Sequence, residues 1–377
     1  MQKKHLTRAL LFISISLLIW ALYWFAVQHL PNLIGHVLYA SPKDDILAQW
    51  INYFYPRLQT EKWRFDELFF IEKSKQVLCR ISVVSEIGLF TLLFWNEIKP
   101  PLTKKWNQLF NVYILKNHIN KYATPLLYFC FFIVIYDSIF DFQDLVYFKS
   151  FYNPVGIGKI MLPIFPSVEV LWTIYIVMLV SVASIILLPH KWISATICLI
   201  SFLLYQQLLS GFNKYDHGYT TLTYAMMVYP FVLYEEGKAK REQTKAWGIV
   251  LIQLLICLSY FYGGMEKILI SGLDWILNNN LQQHLLIHQT AAGIALYQYP
   301  IVCKTLSLGV IVFQCSFILI PFYSKLKYIL LPIGIIFHTC TWILLDVGGV
   351  INPWWWMYLF FLLPLQPQEK ELNPIAK

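Results

Sequence analysis

The chain alternates between long apolar runs and short polar stretches, the pattern of a protein that crosses a bilayer repeatedly. A helix of about 20 apolar residues spans the ~30 Å hydrocarbon core. The pattern predicts an all-α, polytopic integral membrane bundle with about ten transmembrane helices, within a range of eight to ten. The predicted spans are 9–30, 77–95, 123–140, 168–188, 192–212, 219–234, 247–267, 301–323, 328–346 and 354–364. Of these, 219–234 and 354–364 are short for a full crossing. The tryptophans 354–356 are interpreted as a membrane-interface belt, because amphipathic rings prefer the headgroup layer.

Two longer segments between the predicted spans, 31–76 and 268–300, mix charged and apolar residues. The first contains the amphipathic stretch 46–55. The second contains the apolar stretches 281–287 and 291–297, each flanked by polar residues. We expect both segments to fold on the bilayer surface, because amphipathic stretches of this kind bury one face among the headgroups.

Composition indicates a protein surrounded by the lipid bilayer and argues against a soluble protein. Hydrophobic residues make up 58% of the chain and charged residues 13%, against about 25% charged in a typical soluble domain. The net charge of +8 comes mainly from basic residues in short loops between apolar runs, so we predict no nucleic-acid partner. No internal repeat or flexible linker interrupts the pattern, which predicts a single transmembrane domain over 1–377.

The distribution of basic residues predicts the orientation in the membrane. Lysine and arginine are concentrated before the first span, in 96–122 and in 235–246, and cytoplasmic loops carry such an excess. We therefore expect both termini on the inner side of the cytoplasmic (plasma) membrane and 268–300 on the outer side. The first span, 9–30, is too long for the apolar part of a signal peptide, which predicts that it is retained.

The segment 250–275 carries the most informative side chains of the chain. Lys267 follows Tyr260, Gly263 and Gly264 at offsets of seven, four and three, so these residues share one helix face. A face with two glycines lets another backbone, or a flat ligand, come close. A primary amine at its end that is partly removed from water can act as a base. The alternative is a lysine that extends to the headgroups as an anchor.

Two histidines are placed in the same leaflet as this lysine by the predicted topology. His338 lies within an apolar span, where an imidazole is costly unless it is paired, so it should face other helices or a cavity. Gly334 and Trp342 share its helix face. His217 lies in the turn 213–219, whose Asn, Asp and Gly residues also favour turns for structural reasons. A purely structural His338, bonded to a neighbouring carbonyl, is the alternative for that residue.

The sequence contains no motif for a nucleotide, a phosphate loop or a metal. His284 and His288 have the spacing of helical metal ligands, but a third ligand is missing, so we predict no metal and an amphipathic surface helix instead. The seven cysteines have no CxxC spacing. They are interpreted as small buried hydrophobic residues, and no disulfide framework is predicted.

The order of these features resembles the membrane part of the vitamin K-dependent gamma-carboxylase family, and more broadly its HTTM (horizontally transferred transmembrane) domain. The similarity covers most of 70–365, and its specific motifs lie in 213–345. They are the turn 213–219, Tyr260-Phe261-Tyr262-Gly263-Gly264-Met265-Glu266-Lys267, Asp274-Trp275 and Gly334-Ile335-Ile336-Phe337-His338.

This resemblance implies a quinol-linked modification of a peptide or small substrate at the extracytoplasmic leaflet. In the family, a lysine matching Lys267 is held to deprotonate the reduced vitamin, and a histidine matching His217 is implicated in carboxylation. His338 matches a further family histidine. The implied cofactor is reduced vitamin K or menaquinol, and a secreted peptide is the expected substrate. The candidate cofactor-binding residues are Tyr260, Gly263, Gly264 and Trp342.

Two departures from the family leave other functions open. Glu266 stands beside the lysine where the animal enzymes have a second basic residue, and a carboxylate favours the charged form of the amine. The large extracytoplasmic C-terminal part that helps full carboxylases engage a propeptide has no counterpart here. One alternative is a non-catalytic membrane partner in the maturation or export of a secreted peptide, such as a toxin. The other is a quinone-binding electron-transfer subunit.

Overall fold

Helices form almost the whole of the structure, a computed structural model that describes residues 2–40, 45–54, 66–154, 157–188, 190–212, 217–349 and 352–367. The prediction of an all-α bundle with membrane-spanning helices is confirmed. The longer helices are α1 (Gln2–Ala40), α2 (Ile46–Phe54), α3 (Glu67–Leu93), α4 (Trp95–Phe110), α5 (Thr124–Tyr147), α6 (Val168–Leu187), α7 (Lys191–Ser210), α8 (Thr220–Lys238), α9 (Trp247–Ser271), α10 (Asn280–His288), α11 (Ala291–Tyr297), α12 (Pro300–Ser316) and α13 (Lys327–Leu345).

Short elements connect these helices. The single helical turns and the 3-10 or π segments are Lys116–His118, Ile119–Ala123, Lys149–Phe151, Gly158–Met161, His217–Tyr219, Asp274–Leu277, Phe317–Leu319, Ser324–Leu326, Pro353–Trp356 and Met357–Leu362. The strands are β1 (Val112–Leu115), β2 (Gln243–Lys245) and β3 (Gln366–Pro367). The amphipathic stretch that begins at residue 46 and the apolar stretches 281–287 and 291–297 lie in helices α2, α10 and α11.

Eight helical stretches among the described residues are long and apolar enough to cross a membrane. They are Leu6–Ala40, Glu67–Leu93, Lys116–Tyr136, Val168–Leu187, Lys191–Ser210, Trp247–Leu269, Pro300–Leu319 and Ser324–Leu345. This number is the lower end of the predicted range of eight to ten. α8 lies where the span 219–234 was predicted, but its last turn carries charged residues.

The predicted span 354–364 is not a regular membrane helix. Pro353–Trp356 is one α-helical turn, and it continues as the 3-10 segment Met357–Leu362. Together these ten residues rise only about 18 Å, too little for a full crossing. Met357, Tyr358 and other side chains of this segment are buried in protein, and irregular backbone at membrane depth is tolerated where protein covers it.

The chain forms two compact units, and the first, Met1–Lys104, is built on the pairing of α1 with α3. We predicted that the first span ends before Pro31, but α1 continues through this proline to Ala40. A proline inside a helix removes one backbone hydrogen bond. Here α3 packs along α1 and contributes contacts that offset this loss. The approach is close, since a Cβ built at Gly35 would lie 2.5 Å from Cγ1 of Ile71.

Two polar contacts in the first unit join residues that are distant in sequence. Ser16 Oγ donates a hydrogen bond of 2.6 Å to Oε2 of Glu86, between α1 and α3. Arg8 pairs with Glu97, at the start of α4. These contacts agree with the general rule that charged groups in membrane helices face other helices and find partners there.

The second unit, Lys105–Lys377, is organised around α9, which contacts α8, α12 and the 3-10 segment Met357–Leu362. Buried side chains recur along α9 at intervals of three to four residues, which marks one helix face. They include Ile249, Ile252, Ile256 and Tyr260. This face turns Tyr260 toward the protein interior and away from lipid.

A three-stranded antiparallel sheet, with the order β2-β1-β3, joins three segments at one end of the second unit, called here the sheet end. Tyr113 pairs with Lys245 on one side and with Gln366 on the other. The sequence pattern did not predict the sheet, because strands of four, three and two residues are too short for a period-two signal. The strands come from 96–122, 235–246 and the C-terminal segment, which were predicted to share the cytoplasmic side.

Cysteine labelling tests this orientation on exposed positions at the two ends of the second unit. Glu242→Cys lies beside β2 and Asn278→Cys follows α9. In a cysteine-free background, a membrane-impermeant maleimide added to intact cells should label position 278 and leave 242 unlabelled, because basic loops face the cytoplasm. Labelling of position 242 in intact cells would show that the orientation is opposite to the predicted one. Lys267 would then lie on the cytoplasmic side.

Candidate functional site

Tyr260 in α9 is the centre of a hydrogen-bonded chain that joins three elements. Its hydroxyl oxygen lies 2.5 Å from Nε2 of His338 in α13. The hydroxyl of Tyr358 donates to the same oxygen at 2.5 Å. A phenol can donate one hydrogen bond and accept another, so the direction of the bond between Tyr260 and His338 follows from which imidazole nitrogen carries the proton. Such a chain can pass a proton between its members when the bonds reverse.

Aromatic rings enclose this chain. The ring of Phe317 stacks on Tyr260 with centroids 4.3 Å apart and planes at 27°. Trp354 meets the same ring edge-on, at 5.1 Å and 85°. Tyr260 is only 2% exposed, and a polar group buried this far without a partner costs about 1–3 kcal/mol. The hydrogen bonds therefore offset the cost of burying these polar side chains.

Gly334 provides the space in which Tyr358 approaches His338. A Cβ built at Gly334 would lie 2.4 Å from the hydroxyl oxygen of Tyr358, which is closer than packed atoms come. Gly334 precedes His338 by four residues in α13 and so lies on the same face. The sequence predicted a small residue beside the imidazole, and the structure shows that a tyrosine ring occupies the space.

Lys267 lies two turns beyond Tyr260 on the same face of α9, about 10.5 Å along the helix axis. Its Nζ donates a hydrogen bond of 3.0 Å to the carbonyl oxygen of Gly263. The same atom lies 5.3 Å from the centroid of the Trp275 ring. Glu266 is exposed, and no carboxylate of the described residues forms an ion pair with the amine. The hydrogen bond and the ring contact that hold Lys267 among the described residues are both with neutral groups.

The end of α9 brings Trp275 to the lysine. The helix ends at Ser271, and Gly272 adopts a φ of +60°, a conformation that glycine takes without steric cost. The chain then enters the single turn Asp274–Leu277. The Asp-Trp pair of the sequence motif is thus positioned by a glycine that terminates the preceding helix.

The two glycines of α9 face α12. A Cβ at Gly264 would lie 2.7 Å from Sγ of Cys315 and 3.1 Å from its backbone nitrogen, so the space there is filled by another helix. At Gly263 the nearest atoms belong to the amide of Gln314, starting at 3.6 Å. Oε1 of this amide is buried and has no hydrogen-bond partner within the described part of the chain. It is an acceptor available to a ligand that can donate.

Trp342, predicted as a cofactor contact, is 42% exposed. Its indole nitrogen lies 3.7 Å from the Cβ position of Gly349. Its ring is not among the aromatic partners of His338 in the described residues. The indole beside the imidazole belongs instead to Trp354, at 6.2 Å between ring centroids.

His217, the other predicted histidine, begins the 3-10 turn His217–Tyr219. This turn lies against Pro353–Trp356, which carries the Trp354 ring that packs on Tyr260. The side chain of His217, and residues 213–216, lie outside the described residues. Pro353–Trp356 therefore lies between the backbone of this turn and the aromatic rings around Tyr260.

Sequence reasoning missed Tyr358, Trp354 and Gln314. The tryptophans 354–356 were interpreted as a membrane-interface belt, but Trp354 packs against Tyr260 instead. Gln314 was overlooked although it is a polar residue inside an apolar run, which is the signal that identified His338. The same signal applies to Tyr358, whose hydroxyl lies within the apolar run 354–364.

Comparisons with protein-family models, curated proteins and solved structures found no match for this chain. The site is therefore interpreted from its own geometry. It combines an amine, an imidazole and two phenols, which are groups suited to acid-base chemistry. In the described residues, no three His, Cys, Asp or Glu side chains come together as a metal site.

Alanine at Gly334 tests whether the close approach of Tyr358 is needed for stability. The added Cβ would displace the Tyr358 hydroxyl, and we expect Gly334→Ala to lower the free energy of unfolding by about 1–3 kcal/mol. Thermal unfolding in detergent measures this loss. The matched control is Gly309→Ala in α12, where a Cβ meets nothing within 4 Å. Equal melting temperatures for the two variants would contradict the packing described.

The order of hydrogen bonds in the tyrosine chain can be tested by removing each hydroxyl. Tyr260→Phe removes two hydrogen bonds and leaves His338 and Tyr358 unpaired, whereas Tyr358→Phe removes one. We expect a destabilisation of about 1–2 kcal/mol for the first variant and about half as much for the second. Chemical or thermal unfolding in detergent gives the comparison. A larger effect of Tyr358→Phe would show that Tyr260 is not the central member.

Proposed function

We propose that this protein performs a quinol-linked modification of a peptide or small substrate at the extracytoplasmic leaflet, with Lys267 as the general base. The resemblance of 213–345 to the vitamin K-dependent carboxylases supports the reaction class. The observation that carries the proposal is the environment of the Lys267 amine. A carbonyl oxygen at 3.0 Å and an aromatic ring at 5.3 Å are its partners among the described residues.

A lysine acts as a base only through its neutral form, which makes its partners decisive. A carboxylate within contact distance would hold the amine in its charged form. Glu266, the nearest acidic residue in sequence, projects about 100° away around the helix and is exposed. Lys267 is half-buried and is fixed in position by Gly263 and Trp275. This is the arrangement that a positioned proton acceptor needs.

The residues near Lys267 fit a flat quinol. Gln314 Oε1 is a buried acceptor without a partner in the described residues, and a quinol hydroxyl is a matching donor. Gly263 places no side chain against this amide, and Trp275 adds an aromatic surface. We propose reduced vitamin K or menaquinol as the ligand, with Lys267 and Gln314 as its polar contacts. When bound, it would supply the reducing equivalents and, with oxygen, the strong base needed to abstract a carbon-bound hydrogen.

The histidines have supporting roles in this proposal. His338, Tyr260 and Tyr358 form a hydrogen-bonded chain two helical turns from Lys267. In this proposal the chain can accept a proton and return it. His217 is assigned to the carboxylation step through the family resemblance. The nearby tryptophans and phenylalanines exclude water from this part of the bundle, which strengthens the electrostatic interactions within it.

A second candidate function is a non-catalytic membrane partner in the maturation or export of a secreted peptide. The observation that favours it is the filled space at Gly264, where Cys315 of α12 packs directly on α9. In this case the polar chain and the glycines stabilise the bundle and carry out no chemistry. An activity measurement on Lys267 variants separates the two functions.

Arginine at position 267 separates a base from an anchor. It keeps the positive charge and reaches the headgroups but does not deprotonate in proteins. Lys267→Arg should therefore insert and fold like the parent, yet lose the modification by about 10²–10⁴-fold. Mass spectrometry of peptides secreted by cells with the parent, the variant or no protein measures a gain of one carboxyl group. A small amine added to Lys267→Ala should restore part of the activity.

Lys304→Arg is the matched control, because Lys304 is a half-buried lysine of α12 with no assigned role in the site. It should modify peptides as the parent does. If Lys267→Arg is also fully active, the lysine is an anchor and the catalytic proposal fails. If the protein changes only the abundance or cleavage of the peptides, it is the non-catalytic partner.

A further inference from the structure

A cavity of about 660 Å³ lies at the sheet end of the second unit. It is lined by the end of α4, the first turns of α9, and the segments 320–328 and 361–365. Its size is within the range of about 300–1,000 Å³ that is usual for small-molecule sites. Its polar lining consists of Lys105, Gln108, Gln253, Ser324, Lys327 and Tyr328.

The charge of this cavity is positive. Two lysines line it, and none of its described lining residues is acidic. Nζ of Lys327 donates to the carbonyl oxygen of Phe361 at 3.0 Å, which fixes the amine while leaving further N–H groups free. Nζ of Lys105 lies 5.3 Å from the centroid of the Tyr323 ring. Two amines without a carboxylate partner favour a bound anion.

The remainder of the cavity is apolar. The residues that make up this part include Leu109, Val250, Ile320, Leu363 and Leu365. A small inorganic anion would leave these side chains without a partner. A ligand with both a charged group and hydrocarbon matches the two parts of the lining, as lipids do in basic pockets at membrane surfaces.

The helix that carries Lys105 also points to a lipid. In α4, apolar side chains recur every three to four residues, which makes one apolar stripe. Trp95, Leu102 and Trp106 of this stripe are 43%, 47% and 48% exposed. An amphipathic helix with exposed tryptophans and several lysines is typical of a segment that lies on the membrane surface. These features favour a phospholipid as the ligand that would reach Lys105.

We propose that this cavity binds the phosphate group of an anionic phospholipid, with Lys105 and Lys327 as its charged contacts. The shared chemistry is a phosphate anion, and the apolar lining and α4 favour a lipid over a free phosphate as its source. The site is distinct from that of Lys267, which lies about 21 Å beyond Gln253 along α9. It does not depend on the function proposed above.

Titration of the purified protein in neutral detergent tests this site. Short-chain phosphatidylglycerol is the probe, and short-chain phosphatidylcholine and inorganic phosphate are the comparison ligands. We expect phosphatidylglycerol to bind the parent most tightly. The double variant Lys105→Gln/Lys327→Gln should bind it at least about tenfold more weakly, because two charge-assisted contacts are lost. Isothermal titration calorimetry gives the dissociation constants.

A matched double variant, Lys104→Gln/Lys325→Gln, removes the same charge from neighbouring exposed lysines outside the cavity. It should bind phosphatidylglycerol like the parent. Equal weakening in both double variants would overturn the proposal in favour of general surface charge. Equal affinity of the parent for inorganic phosphate and phosphatidylglycerol would overturn the lipid as the source.

The single variant Lys105→Gln tests the site if the double variant does not fold. Lys327 supports the backbone at Phe361, whereas Lys105 contacts the ring of Tyr323. The single variant should weaken phosphatidylglycerol binding by at least about threefold, and Lys104→Gln should not. An unchanged dissociation constant in a folded Lys105→Gln protein would also overturn the proposal.

Discussion

The second unit depends on the hydrogen bonds of Tyr260, because polar groups in an apolar bundle must find their partners inside the protein. His338 and Tyr358 reach this hydroxyl from two other elements, each at 2.5 Å. The requirement accounts for the glycine at 334, which gives the Tyr358 ring its space. It also accounts for the buried position of Met357–Leu362, whose 3-10 backbone would be costly in contact with lipid.

One face of α9 serves both packing and candidate chemistry. Tyr260 is buried among aromatic rings, Gly264 packs on α12, and Lys267 emerges two turns later beside Trp275. The interior part of this face stabilises the bundle through contacts that leave little space. The part near Lys267 holds the amine and Oε1 of Gln314, which has no hydrogen-bond partner among the described residues. This division allows one helix to be both a structural centre and the proposed site of a reaction.

Periodicity predicted those features that depend on a single helix. The apolar runs located most helices, and the spacing of Tyr260, Gly263, Gly264 and Lys267 placed them correctly on one face of α9. Contacts between distant segments could not be predicted in this way. The bond from Tyr260 to His338 spans 78 residues, and no local pattern specifies it.

The errors in the sequence predictions have the same physical cause. The first span was predicted to end at residue 30, where the apolar run ends, but α1 continues through Pro31 to Ala40 and packs against α3. Trp354 was expected at the membrane interface, where tryptophans are common, but tertiary packing directs it onto Tyr260. In each case the contribution of a distant partner exceeded the local preference.

The central proposal of this account is that a quinol binds at the Lys267 end of α9, beside Trp275 and close to Gln314. Photoaffinity labelling with an azido-quinone in native membranes, followed by mapping of the labelled peptides, tests it most directly. The account predicts label in the second half of α9 and around Gln314, and excess menaquinol added before irradiation should prevent this labelling. Label that forms despite excess menaquinol, or that is spread over the lipid-facing helices, would contradict it.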